Sequence, residues 1–256
     1  MKPKSQQLPA MKAKRLLVDP SCIADDEAVL QGALFHHVVR VLRLPVGAAL
    51  VLTDGAGTIY EATIGRIGPD RVVARLGPAT IADDDPPPVL TLVYGLARGA
   101  RTELVWQKST ELGVGRIVPA ICQRSVARPS QLSRKRDRWC EIVAQAARQC
   151  GRTRLPDVAA PLPLDDALAS AASAEIRLIA DPQGEHPVGA FAEALATPPA
   201  EVALAIGPEG GFTAAEVDTA RALGFTAVSL GPLVLRTETS AIALLAIVAH
   251  LARRIP

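Results

Sequence analysis

The sequence predicts an α/β fold: a parallel sheet with helices on both faces, preceded by a small β-barrel module. Three observations lead to this class. Short β-prone runs with tight turns fill residues 16–77, and an acidic, proline-rich stretch follows at 83–88. From residue 89 onward, strand-like runs alternate with helical ones. Such alternation requires crossover connections, which build a parallel sheet covered on both faces.

The N-terminal module is predicted from closely spaced strands and one helical interruption. Asp54-Gly55 stands between two β-prone runs, a strong signal for a hairpin. An amphipathic helical segment covers residues 34–44. Strands this short indicate a β-barrel. The predicted strands are 49–53, 58–67 and 71–76.

The chain is predicted to divide at the acidic, proline-rich stretch. Three aspartates repel one another, and the three prolines after them cannot continue a helix or a central strand. The predicted organisation is therefore a flexible tail at 1–14, a β-barrel domain at 15–78, a linker at 79–88 and an α/β domain at 89–256.

The second domain is predicted from its alternating pattern. Thr213 and Glu216 form a capping box that begins one of its helices. The predicted strands are 89–94, 116–122, 175–180, 201–206 and 225–230. The predicted helices are 102–112, 130–150, 188–196, 213–223 and 239–253.

Composition excludes several classes of protein. No apolar run is long enough to span a membrane, and the polar N-terminus lacks the apolar region of a secretory signal. The cysteines show no zinc-site spacing, so no metal is expected, and unpaired thiols without an export signal suggest the cytoplasm. Cys140 and Cys150 are predicted to belong to the core.

Two loops that follow predicted strands are candidate ligand sites. Residues 206–212 read Ile-Gly-Pro-Glu-Gly-Gly-Phe, and residues 230–240 contain Arg236 and Glu238 among apolar neighbours. Ligands of open α/β sheets bind at the carboxyl ends of strands. Neither loop has a dinucleotide or P-loop fingerprint. The structural alternatives are a tight turn for the first loop and a local ion pair or helix cap for the second.

The near-neutral net charge of +2 conceals a basic segment. Residues 98–154 hold thirteen basic and four acidic residues, a net charge of +9. Arginine matches phosphate oxygens bidentately, so the segment predicts RNA contacts, although a solvated surface is the simpler alternative. Basic side chains on the helical segment 34–44 could also meet phosphate. The predicted RNA-binding residues are His36, Arg40, Arg43, Arg101, Lys108, Arg124, Arg134, Arg138, Arg148 and Arg152.

Three motifs together resemble the RsmE family of 16S ribosomal RNA uracil-N3 methyltransferases, which belong to the SPOUT superfamily. The motifs are 107–114 (Gln-Lys-Ser-Thr-Glu-Leu-Gly-Val), 207–212 (Gly-Pro-Glu-Gly-Gly-Phe) and 235–239 (Leu-Arg-Thr-Glu-Thr). The resemblance runs from about residue 15 to the end of the chain. Ser240 departs from the alanine that is usual there, and Arg98 and Arg101 stand where lysines are common.

The resemblance implies a PUA-like β-barrel, a SPOUT-type domain with a deep C-terminal trefoil knot, and a homodimer acting on 16S RNA or the 30S subunit. It also implies S-adenosyl-L-methionine as cofactor. The cofactor residues implied by the motifs are Ile179, Ala180, Ile206, Gly207, Pro208, Glu209, Gly210, Gly211, Leu230, Gly231 and Leu235.

The implied reaction assigns catalytic roles to three side chains. Uracil N3 must lose its imide proton before it can attack a methyl group. Arg236 is expected to stabilise the anionic uracil oxygen, and Glu238 or Glu209 to be the base. The alternative for either glutamate is that it positions the cofactor or supports a loop of the knot. Two alternatives remain open: a ribose 2′-O-methyltransferase of the same fold, and a non-catalytic RNA-binding assembly factor.

Overall fold

The computed structural model of the chain describes residues 14–82, 86–125, 132–197 and 199–255. Two compact units divide after Ala82. Within the described ranges, no helix is long and apolar enough to cross a membrane.

The first unit is a β-sheet interrupted by one helical segment. Its hydrogen-bonded order is β1-β4-β5-β6-β3-β2, in which β1 pairs parallel to β4 and the other neighbours pair antiparallel. The strands are β1 (Lys14–Leu17), β2 (Ile23–Ala24), β3 (Glu27–Gln31), β4 (Ala49–Thr53), β5 (Thr58–Ile67) and β6 (Arg71–Ile81). The helical parts are a 3₁₀ turn (Pro20–Cys22), α1 (Gly32–His36) and a π-helical turn (His37–Val41).

The predicted β module is confirmed as a sheet, and two details differ. The Asp54 side chain accepts the N–H groups of Ala56 at 2.8 Å and Thr58 at 3.0 Å, which closes the predicted β4–β5 hairpin. Strand β6 runs to Ile81, beyond the predicted domain end at residue 78, and Pro78 falls at a register shift between Tyr60 and Ala62 of β5, where a proline is tolerated. Between residues 14 and 82, no pairing of β1 with β2 closes the sheet into a barrel.

The second unit is a parallel sheet with helices. Its strands are β7 (Val89–Gly95), β8 (Val114–Ile121), β9 (Asp157–Val158), β10 (Leu162–Pro163), β11 (Ile176–Ala180), β12 (His186–Pro187), β13 (Glu201–Ile206) and β14 (Thr226–Ser229). Its helices are α2 (Gly99–Glu111), α3 (Leu132–Cys150), α4 (Leu164–Ala169), a 3₁₀ turn (Val188–Phe191), α5 (Ala192–Ala196), α6 (Ala214–Ala222) and α7 (Thr237–Leu251). The strand order is β10-β8-β7-β13-β11-β14-β12, with β9 beside β8.

Alternating side chains of the strands build a core on each face of this sheet. Leu178 of β11 packs in the cluster with α2, α3 and α7, whereas the next residue, Ile179, packs in the cluster with α4 and α6. Successive residues of a strand point to opposite faces, so apolar strands of this kind require helices on both. The predicted parallel sheet covered on both faces is confirmed.

Of two local predictions for the second unit, one is confirmed and one is wrong. The capping box is confirmed: the Thr213 side chain accepts the N–H of Glu216, and the Glu216 carboxylate accepts the N–H of Thr213 at 2.7 Å. The prediction that Cys140 and Cys150 belong to the core is wrong, because both are exposed. The described buried residues of α3 begin at Trp139 and end at Ala147, so Cys150 at the last position of the helix lies beyond them, and Cys140 lies beside them.

Candidate active site

Two loops meet at the carboxyl edge of the parallel sheet. The glycine loop (residues 207–212) follows β13, and the apolar loop (residues 230–236) follows β14, with β11 between the two strands. They enclose a cavity of about 420 Å³, and a smaller one of about 40 Å³ shares Ala180, Pro182, Leu235 and Ser240 with it. The parallel strand order therefore brings together segments that are separate in the sequence.

Most predicted cofactor residues line these two cavities. They are Ala180, Ile206, Gly207, Pro208, Glu209, Gly210, Gly211, Leu230, Gly231 and Leu235. Ile179 is the exception within the predicted set, because its side chain has no exposed area and packs between the sheet and α4 and α6. The alternation of β11 directs Ala180 to the cavity and Ile179 away from it.

The glycine loop lies against the end of β7. A Cβ atom at Gly95 would stand 2.6 Å from Cδ and 2.7 Å from the nitrogen of Pro208, and 3.0 Å from Sγ of Cys122. Burial raises the pKa of the Cys122 thiol to about 12, and the nearby Glu216 carboxylate adds to this effect. The thiol of Cys122 is thus neutral and only fills space beside Gly95. The short distances to Pro208 mean that only glycine fits at position 95.

Glu209 is bound on one side by two donors. Its Oε1 accepts the backbone N–H of Arg98 at 2.9 Å and the Nη1 of Arg101 at 3.0 Å. Partial burial acts to raise the pKa of Glu209, but the backbone hydrogen bonds and the Arg101 guanidinium outweigh it, so the pKa lies below its usual value. Glu209 is therefore held as a carboxylate with low proton affinity.

Glu238 has a different environment in the same cavity. It lies in the first turn of α7, its side chain is 14% exposed, and its Oε1 is 3.8 Å from Nε of Arg101. Its Oε2 is buried and finds no hydrogen-bond partner within the described part of the chain. Arg236 precedes the helix, lines the cavity and is exposed. The start of α7 and the residue before it thus place a carboxylate oxygen and a guanidinium at one cavity.

Thr237 joins the two loops. Its hydroxyl donates to the carbonyl oxygen of Gly207 at 2.5 Å and lies 3.4 Å from the hydroxyl of Tyr94. Burial raises the pKa of Tyr94 to about 12, an effect that the Thr237 hydrogen bond reduces and that Glu238 and Glu209 increase. Tyr94 therefore remains a neutral phenol beneath the cavity.

The predicted RNA-binding residues fall into different environments. Six are exposed: His36, Arg40 and Arg43 in the first unit, Arg124 after β8, and Arg138 and Arg148 on α3. Arg138 lies 3.6 Å from a carboxylate oxygen of Glu103, and Lys108 is bound to Glu111 at 2.9 Å. The side chain of Arg134 lies outside the described residues.

Three predicted RNA-binding arginines have other bonding. Arg152 is buried and donates to the carbonyl oxygens of Thr110 at 3.2 Å and Val114 at 2.8 Å, so it closes the end of α2 and is not presented to a ligand. Arg101 bridges the two cavity glutamates. Arg124 donates to backbone carbonyls of the glycine loop. A count of basic residues cannot distinguish an arginine that binds carbonyl oxygens from one that is free to bind phosphate.

Sequence reasoning missed Gly95, Thr237 and Arg101 as residues of the cavity region. Thr237 stands inside the motif 235–239, and Gly95 ends a buried strand, so both carried a signal. Arg101 gave none, because its two carboxylate partners are 108 and 137 residues away in the sequence. In the described ranges, no group of three or more His, Cys, Asp or Glu side chains could hold a metal ion.

Comparison with known proteins agrees with this architecture. An RNA methyltransferase domain family matches residues 84–249, and an RNA methyltransferase PUA domain family matches residues 30–77. Ribosomal RNA small subunit methyltransferase E of Synechocystis is 35% identical over 230 residues, which cover 89% of this chain and 74% of the relative. The Bacillus subtilis protein of the same name is 29% identical and covers 82% of this chain and 85% of its own.

A solved structure has the same fold. Ribosomal RNA small subunit methyltransferase E from Neisseria gonorrhoeae, bound to S-adenosyl methionine, superposes with a TM-score of 0.83 at 29% identity, covering 93% of this chain and 98% of that one. The fold and the site thus define an RNA methyltransferase with a SPOUT-type α/β unit after a PUA-like domain. The chain belongs to the ribosomal RNA small subunit methyltransferase E family. The trefoil knot stays a prediction.

Proposed function

We propose that this protein transfers a methyl group from S-adenosyl-L-methionine to N3 of a uridine in 16S ribosomal RNA. The observation that carries the proposal is the convergence of the two loops on one cavity that also contains Glu238 and Arg236. Relatives over most of the chain are named as small-subunit ribosomal RNA methyltransferases, and one of their structures holds S-adenosyl methionine.

The residues present fit this cofactor. A cavity of about 420 Å³ lies within the range of about 300–1,000 Å³ that small-molecule sites occupy. The glycines of the first loop leave room for close backbone contact, and Ile206, Val234 and Leu235 give an apolar surface suited to an adenine ring. The cofactor supplies an electrophilic methyl group on a sulfonium, and the carboxylates of Glu209 and Glu238 complement its positive charge.

We assign the base to Glu238. Both glutamates line the cavity, but Glu209 is occupied by Arg98 and Arg101, and its lowered pKa makes it a poor proton acceptor. Among the described residues the buried Oε2 of Glu238 has no hydrogen-bond partner, an arrangement that costs free energy until a donor arrives. The N3–H group of uracil is such a donor, and Glu238 takes its proton.

Arg236 stabilises the charge that this proton transfer creates. Loss of the proton leaves negative charge on the uracil ring, shared with the carbonyl oxygens on either side of N3. In the described part of the chain Arg236 has no ion-pair partner, so its guanidinium remains available to such an oxygen. The same residue would bind the neutral base weakly and the anion more strongly, which favours the transition state.

The proposal extends to partners and location. The exposed basic side chains of the first unit and of α3 are proposed to bind RNA phosphates. Helices α2 and α7 pack together and expose Leu104 and Ile247, a surface suited to a second copy of the chain. We also propose that the protein is cytoplasmic. We further propose that the second unit contains a trefoil knot, in which the apolar loop continues into α7 beside the glycine loop.

Labelled S-adenosyl-L-methionine, supplied with either 30S subunits or free 16S RNA, tests the reaction. We expect label on N3 of one uridine. Glu238→Gln should lower kcat about 10²–10⁴-fold and leave cofactor affinity within about threefold. Arg236→Ala should also act mainly on kcat, and equal losses in kcat and cofactor affinity would contradict its role. Arg221→Ala, on the outer surface of α6, is the matched control.

The two alternative functions predict different results. Label on a ribose would show a 2′-O-methyltransferase and contradict the assignment to N3. RNA binding without any transfer, together with no heat of cofactor binding in calorimetry, would show an assembly factor instead. A Glu238→Gln variant with an unchanged rate and pH profile would remove Glu238 as the base and leave the methyltransferase activity itself intact.

A further inference from the structure

The connection after β8 is bonded to the glycine loop across an intervening strand. Arg124 lies three residues beyond the end of β8, and β7 separates β8 from β13 in the sheet. Its Nη1 donates to the carbonyl oxygen of Gly210 at 2.7 Å and of Phe212 at 3.3 Å. These carbonyl groups belong to the residues on either side of Gly211. One guanidinium therefore fixes the orientation of the peptide groups through the centre of the loop.

The stem of Arg124 also packs on the same loop. A Cβ atom at Gly210 would stand 3.0 Å from Cβ and 3.1 Å from Cδ of Arg124. These distances are shorter than ordinary van der Waals contact, so the arginine stem occupies the space that a side chain at Gly210 would need. The glycine and the arginine are thus complementary in shape as well as in hydrogen bonding.

A second bond connects the same two segments. The backbone N–H of Gln123 donates to Oε1 of Glu216 at 2.7 Å. The other oxygen of Glu216 accepts from the N–H of Thr213 at 2.7 Å and from its hydroxyl at 3.1 Å. Glu216 therefore caps α6 and ties the end of the glycine loop to the residue before Arg124. The glycine loop is therefore hydrogen-bonded to Arg124, and the helix that follows the loop is hydrogen-bonded to Gln123.

We infer that Arg124 is a positioning residue for the cofactor, acting through the backbone of Gly210 and Phe212. This replaces the sequence-based expectation that Arg124 binds RNA. The inference rests on the proposed function, since it takes the glycine loop as the cofactor site. A charge-assisted hydrogen bond contributes enough that its loss should weaken cofactor binding by roughly tenfold, with the side-chain exposure of Arg124 keeping the effect at the lower end.

Calorimetry with S-adenosyl-L-methionine on the full chain separates the two roles. Arg124→Ala should raise the cofactor Kd about tenfold while the KM for RNA, measured at saturating cofactor, stays within about twofold. Arg124→Lys should fall between wild type and Arg124→Ala, because the lysine side chain keeps a charged donor but is one atom shorter than arginine and cannot place that donor where Nη1 stands. Arg221→Ala, another exposed arginine of this unit, should match wild type in both measurements.

A double variant and a hydrogen-exchange measurement distinguish a local effect on the glycine loop from a general loss of stability. Gly210→Ala disturbs the same contact from the loop side, so the Gly210→Ala/Arg124→Ala double variant should lose less affinity than the two single losses combined. Exchange of the amide hydrogens of residues 210–212 should be faster in Arg124→Ala, with the rest of the sheet unchanged.

The outcomes distinguish this inference from the function on which it rests. Wild-type protein that does not bind the cofactor would overturn both. Wild-type binding together with an unchanged Kd in Arg124→Ala would overturn the positioning role alone. A raised KM for RNA with an unchanged cofactor Kd would restore Arg124 to the RNA-binding residues.

Discussion

The two loops that enclose the cavity are held in different ways. The glycine loop contacts Gly95 of β7, Arg124 after β8 and, through Glu209, the start of α2. The apolar loop exposes Leu233 and Val234 by 76% and 81%, and its described side-chain hydrogen bonds join Ser229 to Gly231 at 3.2 Å. We therefore expect the glycine loop to be formed before a ligand arrives, and the exposed apolar loop to be completed by contacts with the ligand. A preformed loop lowers the entropic cost of binding.

Removing the space at Gly95 should give the largest effect. In Gly95→Ala the new methyl group would stand 2.6 Å from Cδ of Pro208, so the glycine loop must move or the end of β7 must distort. We expect an unfolding free energy lower by about 1–3 kcal/mol and cofactor affinity lower by about 100-fold. Chemical denaturation and calorimetry measure the two quantities.

Gly189→Ala is the matched control for this prediction. An added Cβ at Gly189 meets no described atom within 4 Å, and the φ of Gly189 lies outside the left-handed region. The control should keep both stability and affinity. If Gly95→Ala binds the cofactor like wild type, the fixed position of the glycine loop does not contribute to cofactor affinity, and the two loops do not differ in their role in binding.

Loss of the hydroxyl that joins the loops should have the next largest effect. Thr237→Val keeps the shape of the side chain but removes the donor to Gly207 and leaves a buried carbonyl oxygen unpaired. We expect about 1–3 kcal/mol less stability and about 5–10-fold weaker cofactor binding. Thr237→Ser keeps the hydroxyl and should retain most of both. Equal losses in the two variants would mean that packing, and not the hydrogen bond, connects the loops.

The existence of the two cavity loops could be predicted from the sequence, but the contacts that hold them could not. The apolar runs identified the strands, and two loops after β13 and β14 follow from the alternation, because parallel strands end at one edge. The order β7-β13-β11-β14 could not be predicted, since it depends on crossover connections between apolar strands of similar composition. The hydrogen bonds and ion pairs of Arg101, Arg124 and Arg152 could not be predicted either, because their partners are distant in the sequence and are brought close only by the strand order. Two-residue strands such as β9 carry too little pattern to predict.

The Glu209 bonds should show themselves in the pH dependence of stability. A carboxyl group whose folded-state pKa is lowered stabilises the fold above its unfolded-state pKa of about 4.3, and that stabilisation is lost as the pH falls through the folded-state value. The difference in unfolding free energy between wild type and Glu209→Gln should therefore be constant at neutral pH and shrink below about pH 4. Urea denaturation across this range measures it, with Glu193→Gln, an exposed position on α5, as control. A difference that persists at the lowest pH would mean that the charge of Glu209 does not contribute.

The smallest effect on the free protein is expected in the apolar loop. Val234 lines the cavity yet is 81% exposed, so Val234→Ala should change the unfolding free energy by no more than about 0.5 kcal/mol. If the loop closes over the cofactor and buries about half the surface of the two lost CH₂ equivalents, binding should weaken by about 2–5-fold, at about 0.8 kcal/mol per fully buried CH₂. The substitution should also make the heat-capacity change of binding less negative, because that change reports apolar surface removed from water. Calorimetry at several temperatures measures both. An unchanged heat capacity and affinity would mean that the side chain stays in solvent when the cofactor binds, and that both loops are fixed before binding.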